Sequence, residues 1–292
     1  MSDKVFITGS TGNIGSVITK NLAKENVSVT LYVRDVKKAD KMFSEIEGNQ
    51  NITYVEGDYT TLDKFEEGIK GHSRLFLLVH DLNNMPEIKG KFSEIAYNAG
   101  VKQIIDLSSF TVGQSRVGII SAAHTGGEER IRAVKPQSSS LVVLRPGYFM
   151  PNAFQNAREI KEHSILSSVS APENKVNVIS TEDIGDAAST ILLDPIEKHG
   201  DIVYELTSQV MTNAEIAEAF TEALGRPIKY VQNDYNTAYE RMVPFLGHKL
   251  AYDFLRIGTM SLDISTPYLT VLTKKPLRKY QDWIRENKNA FQ

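Results

Sequence analysis

Cysteine is absent from the 292-residue chain, which excludes disulfides, thiolate nucleophiles and cysteine-based metal sites; no metal ligand set is assigned. Net charge is nearly absent too. The 33 Lys and Arg against 36 Asp and Glu leave −3, which gives no general attraction to nucleic acid or a bilayer. No apolar run approaches a membrane span in length, and strand-like sequence begins at Lys4, too early for a secretory leader. Internal repeats, low-complexity runs and long linkers are also missing. The expectation is a soluble, cytoplasmic protein whose partner is a small molecule. Hydrophobic residues at 41% and charged residues at 24% fit a globular chain, long enough for one large core and a smaller lobe.

What is present begins with Lys4 to Gly15, KVFITGSTGNIG. Val5, Phe6 and Ile7 form an apolar run too short for a helix, read as a buried parallel strand. Gly9, Gly12 and Gly15 follow, and then Ile14, Val17, Ile18 and Leu22 recur at helical spacing. Strand, glycine turn and helix are what a dinucleotide pyrophosphate needs. Gly9 allows a tight turn, Gly12 lets the backbone approach the phosphates, and Gly15 lets helix and strand pack closely. First-turn amides and the positive end of the helix dipole then face the anion. Gly9, Thr11, Gly12, Asn13, Ile14 and Gly15 are assigned to the cofactor on this basis.

The second strand, Val27 to Val33, ends in Arg34-Asp35. An acid at such a strand end bonds a free ribose 2′-hydroxyl, whereas a guanidinium suits a 2′-phosphate. Arg34 therefore points to NADP over NAD, with Asp35 keeping the NAD option open. A helix through Glu47 and a strand at Ile52 to Glu56 lead to Asp58-Tyr59, placed near an adenine ring; Asp58 reads equally as the N-cap of a helix over Thr61 to Ile69. The fourth strand, Leu75 to Val79, brings Val79 to the cofactor, and His80-Asp81 mark the crevice edge or a catalytic pair. A helix to Ala99, a fifth strand ending at Ser108-Ser109, and alternation throughout predict an α/β doubly wound parallel sheet of Rossmann type. A smaller mixed α/β C-terminal substrate lobe completes it. The expected division is 1–150 with 176–194 returning, against 151–175 and 195–292.

The TGxxGxxG turn resembles that of the short-chain dehydrogenases, and LRPGYFMPN at Leu144 to Asn152 is similar to the LRPGxFMxN signature of their NmrA-like atypical branch. The Asp183-Ile184 turn and the stretch from Val203 to Arg226 are similar to the family's later segments. The resemblance covers about 1–230. It implies that Ser108 orients a substrate carbonyl, that Gly147 lies at the cofactor, and that Tyr148 walls the nicotinamide pocket. It also brings out one further absence. The superfamily's Y-x-x-x-K relay, in which lysine lowers the tyrosine's pKa, has no counterpart among the twelve tyrosines. In its place Ala122 to Arg132, AAHTGGEERIR, puts His124 and Glu128 four apart, the glycine pair weakening the helix. His124 is the candidate acid, with Glu128 expected to hold it. The family contains NAD(P)H-dependent reductases of quinones, azo dyes or imines, and NADP-binding regulators. The resemblance thus implies an NADPH-dependent reductase of a small electrophile; the alternative is an NADP(H) redox sensor that contacts a regulated protein.

Overall fold

The structure is a computed structural model describing residues 3–113 and 118–292. It divides into two compact units, Met1–Arg116 with Ser121–Arg145 and Ile184–Glu205, and Val117–Ile120 with Pro146–Asp183 and Leu206–Gln292. Along the chain come β1 (Lys4–Thr8), α1 (Asn13–Lys24), β2 (Ser28–Val33), α2 (Val36–Phe43), β3 (Ile52–Glu56), α3 (Leu62–Ile69), β4 (Arg74–Leu77), α4 (Met85–Asn98), β5 (Gln103–Leu107), α5 (Ile119–Val134) and β6 (Ser140–Pro146). After them lie β7 (Tyr148–Phe149), α6 (Ala157–His163), β8 (Ile165–Ser168), β9 (Lys175–Ile179), α7 (Thr181–Leu193), α8 (Ile196–His199) and β10 (Val203–Leu206). The chain ends with β11 (Gln209–Thr212), α9 (Asn213–Leu224), β12 (Lys229–Gln232), α10 (Tyr235–Gly258), α11 (Tyr268–Thr273) and α12 (Tyr280–Glu286). Among the described residues no helix is long and apolar enough to cross a membrane.

The first unit is built on a seven-stranded sheet in the order β10-β6-β5-β4-β1-β2-β3. Its central strands are apolar on both faces because helices cover both, as a parallel sheet requires. Ile7 pairs in register with Leu31 on one side and Phe76 on the other. Strand order reverses at β1, so the crevice of an open α/β sheet opens where β1 and β4 end. The Thr8 hydroxyl clasps those two ends, donating to the Leu78 carbonyl at 3.0 Å and accepting from the Leu78 amide at 2.8 Å. Beneath it Phe65 and Phe92 stack at 4.0 Å, with Phe6 edge-on to Phe65.

The second unit holds a mixed sheet, β11-β9-β7, and a parallel pair, β12-β8. Its core gathers Met150, Ile160, Phe220, Tyr280, Trp283 and Phe291. Thr212 and Glu215 form the capping box that opens α9, and α10 is broken at Gly247, whose φ is +71°.

Several boundaries differ from the expectation. The strand within Val176 to Gly185 joins β11 and β7 rather than the large sheet; its short V-N-V-I run suits either sheet, and pairing partners are a tertiary matter. The segment that returns to the first unit is Ile184–Glu205, and the second unit takes Val117–Ile120, Pro146–Asp183 and Leu206–Gln292. Ile165–Ser168, for which no strand is expected, form β8. The glycine pair does not weaken α5, which runs through it. A Cβ at Gly126 would stand 2.9 Å from Pro86 Cγ and one at Gly127 2.8 Å from Lys89 Cδ, so the glycines let α5 settle against α4.

Gly15 tests the same logic at α1. A Cβ there would penetrate the Gly9 carbonyl oxygen and lie 2.7 Å from Ser10 Cα, both backbone atoms with little room to yield. Gly15→Ala is expected to destabilise the chain by on the order of 2–3 kcal/mol, measured by urea titration; an unchanged midpoint would contradict this packing.

Candidate functional site

The glycine turn is shaped by its own backbone. Gly9 adopts φ +71°, a conformation L side chains rarely take, and a Cβ on it would also press 3.0 Å from Leu78 Cδ2. The Gly12 amide closes the turn on the Gly9 carbonyl at 3.1 Å, and Gly12 then serves as N-cap of α1 with no side chain capping the helix. No acid occupies the first turn. Thr11, Gly12 and Asn13 are exposed while Ile14 and Gly15 are buried. The result is an open cradle of backbone donors at the end of a helix dipole.

At the end of β2 the two candidate ribose residues have separated roles. Asp35 caps α2, its carboxylate accepting the Lys38 amide at 2.9 Å. Arg34 is exposed, and among the described residues no carboxylate pairs with it. Next to it, Gly57 passes so close to the Tyr32 hydroxyl that a Cβ could not fit, and Tyr32 donates to the Asp58 carbonyl at 2.8 Å. The Asp58 carboxylate accepts from the Thr60 hydroxyl and amide at 2.7 and 2.8 Å, which holds it below the usual carboxylate range. It does not cap α3; Thr61 occupies that position. Tyr59 is half-buried against Phe92, and its hydroxyl meets His80 Nδ1 at 2.9 Å. Val79 is buried beside it. Asp81 is spent on structure, accepting the amides of Asn83 and Asn84 and the Asn84 side chain in the turn before α4.

Where β5 ends, two charged clusters meet. Ser108, 4% exposed, donates to Glu128 Oε1 at 2.6 Å, so its proton is committed to Glu128. Arg145 grips the same carboxylate with Nε at 2.9 Å and Nη2 at 2.7 Å. Burial opposes the charge on Glu128, yet these bonds and the charges of Arg145 and Arg132 outweigh it and keep the carboxyl below its ordinary range. Glu128 therefore holds Ser108 and Arg145, not His124. The second cluster is Lys89 with Asp106, paired at 2.6 Å with neither side chain exposed at all. Lys89 also donates to the Leu107 carbonyl at 3.0 Å.

His124 lies on the same helix as Glu128, one turn back. Its Nδ1 is buried with no hydrogen-bond partner among the described residues. Burial, reinforced by the positive charge of Lys89, pushes its pKa down to about 3. The imidazole is thus neutral at physiological pH and cannot serve as a stored acid there. Tyr148 and Gly147 belong to the second unit. Tyr148 sits in β7 with its phenol pushed up to about 12 by burial, partly offset by a hydrogen bond from Asn152. The Gly147 amide donates to the Leu206 carbonyl at 2.9 Å, and the Asn177 carbonyl leaves no space for a side chain.

Sequence reasoning missed Lys89, Asp106 and Arg145. Asp106 carried a usable signal, because an acid inside the doubly covered run Ile104-Ile105-Asp106-Leu107 demands a buried cation. Arg145 stood in the quoted LRPG motif without a role. Lys89 carried none, being one of two lysines on α4.

This fold and site define an α/β protein of the Rossmann type. More particularly, the chain belongs to the NmrA-like family, whose model matches residues 1–266. It is 25% identical over 239 residues to an NAD(P)H azoreductase of Xenophilus azovorans, covering 82% of this chain and 80% of that one. Its fold is similar to an NADPH-dependent quinone oxidoreductase from Escherichia coli complexed with NADPH, with TM-score 0.84, 21% identity and coverage of 98% and 100%. It is also similar to NmrA, a negative transcriptional regulator, in complex with NADP, with TM-score 0.78, 17% identity and coverage of 98% and 95%.

Two outcomes follow from the buried groups. Between pH 6.5 and about 3 the unfolded chain protonates His124 and the folded chain does not, so this group lowers stability as pH falls through that window. His124→Gln is expected to flatten the slope of unfolding free energy there, read by denaturant titrations at several pH values. Arg145→Met leaves the Glu128 carboxylate buried without its fork and is expected to cost on the order of 3 kcal/mol at neutral pH, the loss shrinking as acid protonates Glu128.

Proposed function

We propose that the chain is an NADPH-dependent reductase that delivers hydride to a small electrophile of the quinone, azo or imine type. The observation that carries this reading is the pairing of an open glycine cradle with a serine, Ser108, whose proton is committed to Glu128. The cradle fits a dinucleotide. Side chains are excluded at Gly9 and Gly15, the first-turn amides of α1 have no side-chain cap, and among the described residues Arg34 stands without a carboxylate partner while Asp35 is engaged. Gly9, Thr11, Gly12, Asn13, Ile14 and Gly15 would hold the phosphates, Arg34 the 2′-phosphate, and Asp58, Tyr59 and Val79 the rest of the cofactor.

When bound, NADPH supplies the hydride. The chain's own residues orient and exclude. Arg34 selects the phosphorylated ribose through charge-assisted hydrogen bonds. Ser108, fixed by Glu128, offers oxygen lone pairs rather than a proton, and His124 presents a neutral hydrogen-bonding surface. A serine committed in this way suits acceptors that take hydride with little help from a protein proton. The azoreductase relative acts with NAD(P)H by its description, which agrees with this acceptor class. A second reading, an NADP(H)-sensing regulator without turnover, is favoured by the commitment of Glu128 and Ser108 to each other and to Arg145, an arrangement that needs no reaction to explain it.

The pure protein is to be incubated with NADPH and a panel of quinones, azo dyes and cyclic imines. Oxidation above background, reduced by Tyr148→Ala or His124→Ala, is expected; tight NADP binding with no turnover on any acceptor would favour the sensor. Arg34→Ala is expected to weaken NADP by roughly 10- to 100-fold, as loss of a charge-assisted contact does, with NAD affected far less. An equal loss for both nucleotides in calorimetry overturns the NADP assignment.

A further inference from the structure

We propose that the second unit carries a binding pocket for a small aromatic carboxylate, built on the part of α10 that follows its break and on Gly118 and Ile119 at the start of α5. Every residue of this pocket belongs to the second unit. The inference goes beyond the reductase reading and does not rest on it.

The pocket begins with spacing. α10 is interrupted at Gly247, whose φ is +71° and ψ 165°, and resumes at His248. From there His248, Tyr252 and Arg256 recur every four residues, with Lys249 and Asp253 as a second row one position on, so all five share one helix face. This face, with Gly118 and Ile119, lines a partly open cavity of about 290 Å³. That is near the lower end of small-molecule sites, which run from roughly 300 to 1,000 Å³, and suits a ligand of one or two rings.

Asp253 fastens the two sides together. It is 2% exposed. Its Oδ2 accepts the Ile120 amide at 2.9 Å, while Oδ1 accepts from Arg256 Nε at 3.2 Å and Nη2 at 3.1 Å. Such pairing is what lets a carboxylate stay buried. Gly118 makes the approach possible, since a Cβ there would overlap Asp253 Oδ1.

The chemistry of the lining follows from what Asp253 uses up. Its charge is matched by Arg256, so the balance left over is positive. Lys249 is exposed, and among the described residues no carboxylate pairs with it. His248 Nδ1 is engaged by the Tyr239 hydroxyl at 3.0 Å, which leaves Nε2 as the ring nitrogen open to a ligand. The Tyr252 side chain is exposed, its ring 6.1 Å from that of His248 and tilted by 39° rather than stacked, so the phenol keeps a face for another ring. An ammonium to hold a carboxylate and an aromatic face to hold a ring select a ligand that has both. A phosphoryl group fits less well, because it favours a guanidinium fork and the Nε–Nη2 edge of Arg256 is already spent on Asp253.

The test is a titration of the full chain, without nucleotide, by 2-naphthoate, its neutral carboxamide, acetate and inorganic phosphate, read by calorimetry and by backbone amide NMR shifts. 2-Naphthoate is expected to bind at least about tenfold more tightly than each of the others, and to shift the amides of Gly118, Ile119 and residues 248–256. Lys249→Gln is expected to weaken it about tenfold and Tyr252→Ala about fivefold, with Lys249→Arg within about threefold of the wild type. Lys161→Gln, which removes the same charge from an exposed site on α6, is expected to leave binding unchanged. Carboxamide, acetate or phosphate binding as tightly as 2-naphthoate overturns the proposal, as does no binding of 2-naphthoate at millimolar concentration. So do equal losses from Lys249→Gln and Lys161→Gln, or shifts confined to residues 9–15 and Arg34. Lys249, Tyr252 and Lys161 are all exposed, so these substitutions leave the core intact. No readout uses nucleotide or turnover, so a failure here is distinct from a failure of the reductase reading.

Discussion

The close approach of α1 to the end of β1 is the constraint from which the rest of the first unit follows. Backbone lies on backbone at Gly9, Ser10 and Gly15, with the Thr8 hydroxyl tying β1 to the residue after β4. That contact fixes where the helix dipole ends, and hence where negative charge is welcome. It also fixes the switch in strand order as the mouth of the crevice. A single methyl at position 15 would push the helix outward and close the cradle by displacing the very amides that line it.

A second theme is that polar groups near this crevice are paired with one another. Asp35 caps a helix, Asp81 opens one, Glu128 is shared by a serine and an arginine, and Asp106 is matched by a lysine. Buried charges remain only when paired, because desolvation otherwise dominates. Such pairing commits these carboxylates to partners within the fold.

Much of the first unit was legible because its signals are local. Glycine spacing and the apolar runs of β1 and β2 depend on residues near one another in the chain. The family was legible from the turn after β1 and the Arg-Pro-Gly segment. What was not legible depends on partners distant in sequence. The placement of β9 rests on β11 and β7, and the role of Glu128 on Arg145 and Ser108. The glycine pair in α5 read as a helix weakness because propensity counts only the helix itself; its purpose is the nearness of Pro86 and Lys89 on α4.

The capping role of Asp35 limits how coenzyme choice in this chain can drift. A protein that acquires a ribose-binding acid by repurposing Asp35 would surrender the Lys38 amide contact and fray the start of α2, a loss of about 1 kcal/mol. Replacing Arg34 itself with an acid leaves that helix intact. On the proposed role of Arg34, the easier evolutionary route toward the unphosphorylated coenzyme runs through position 34, and the neighbouring aspartate is held in place by its own turn of helix.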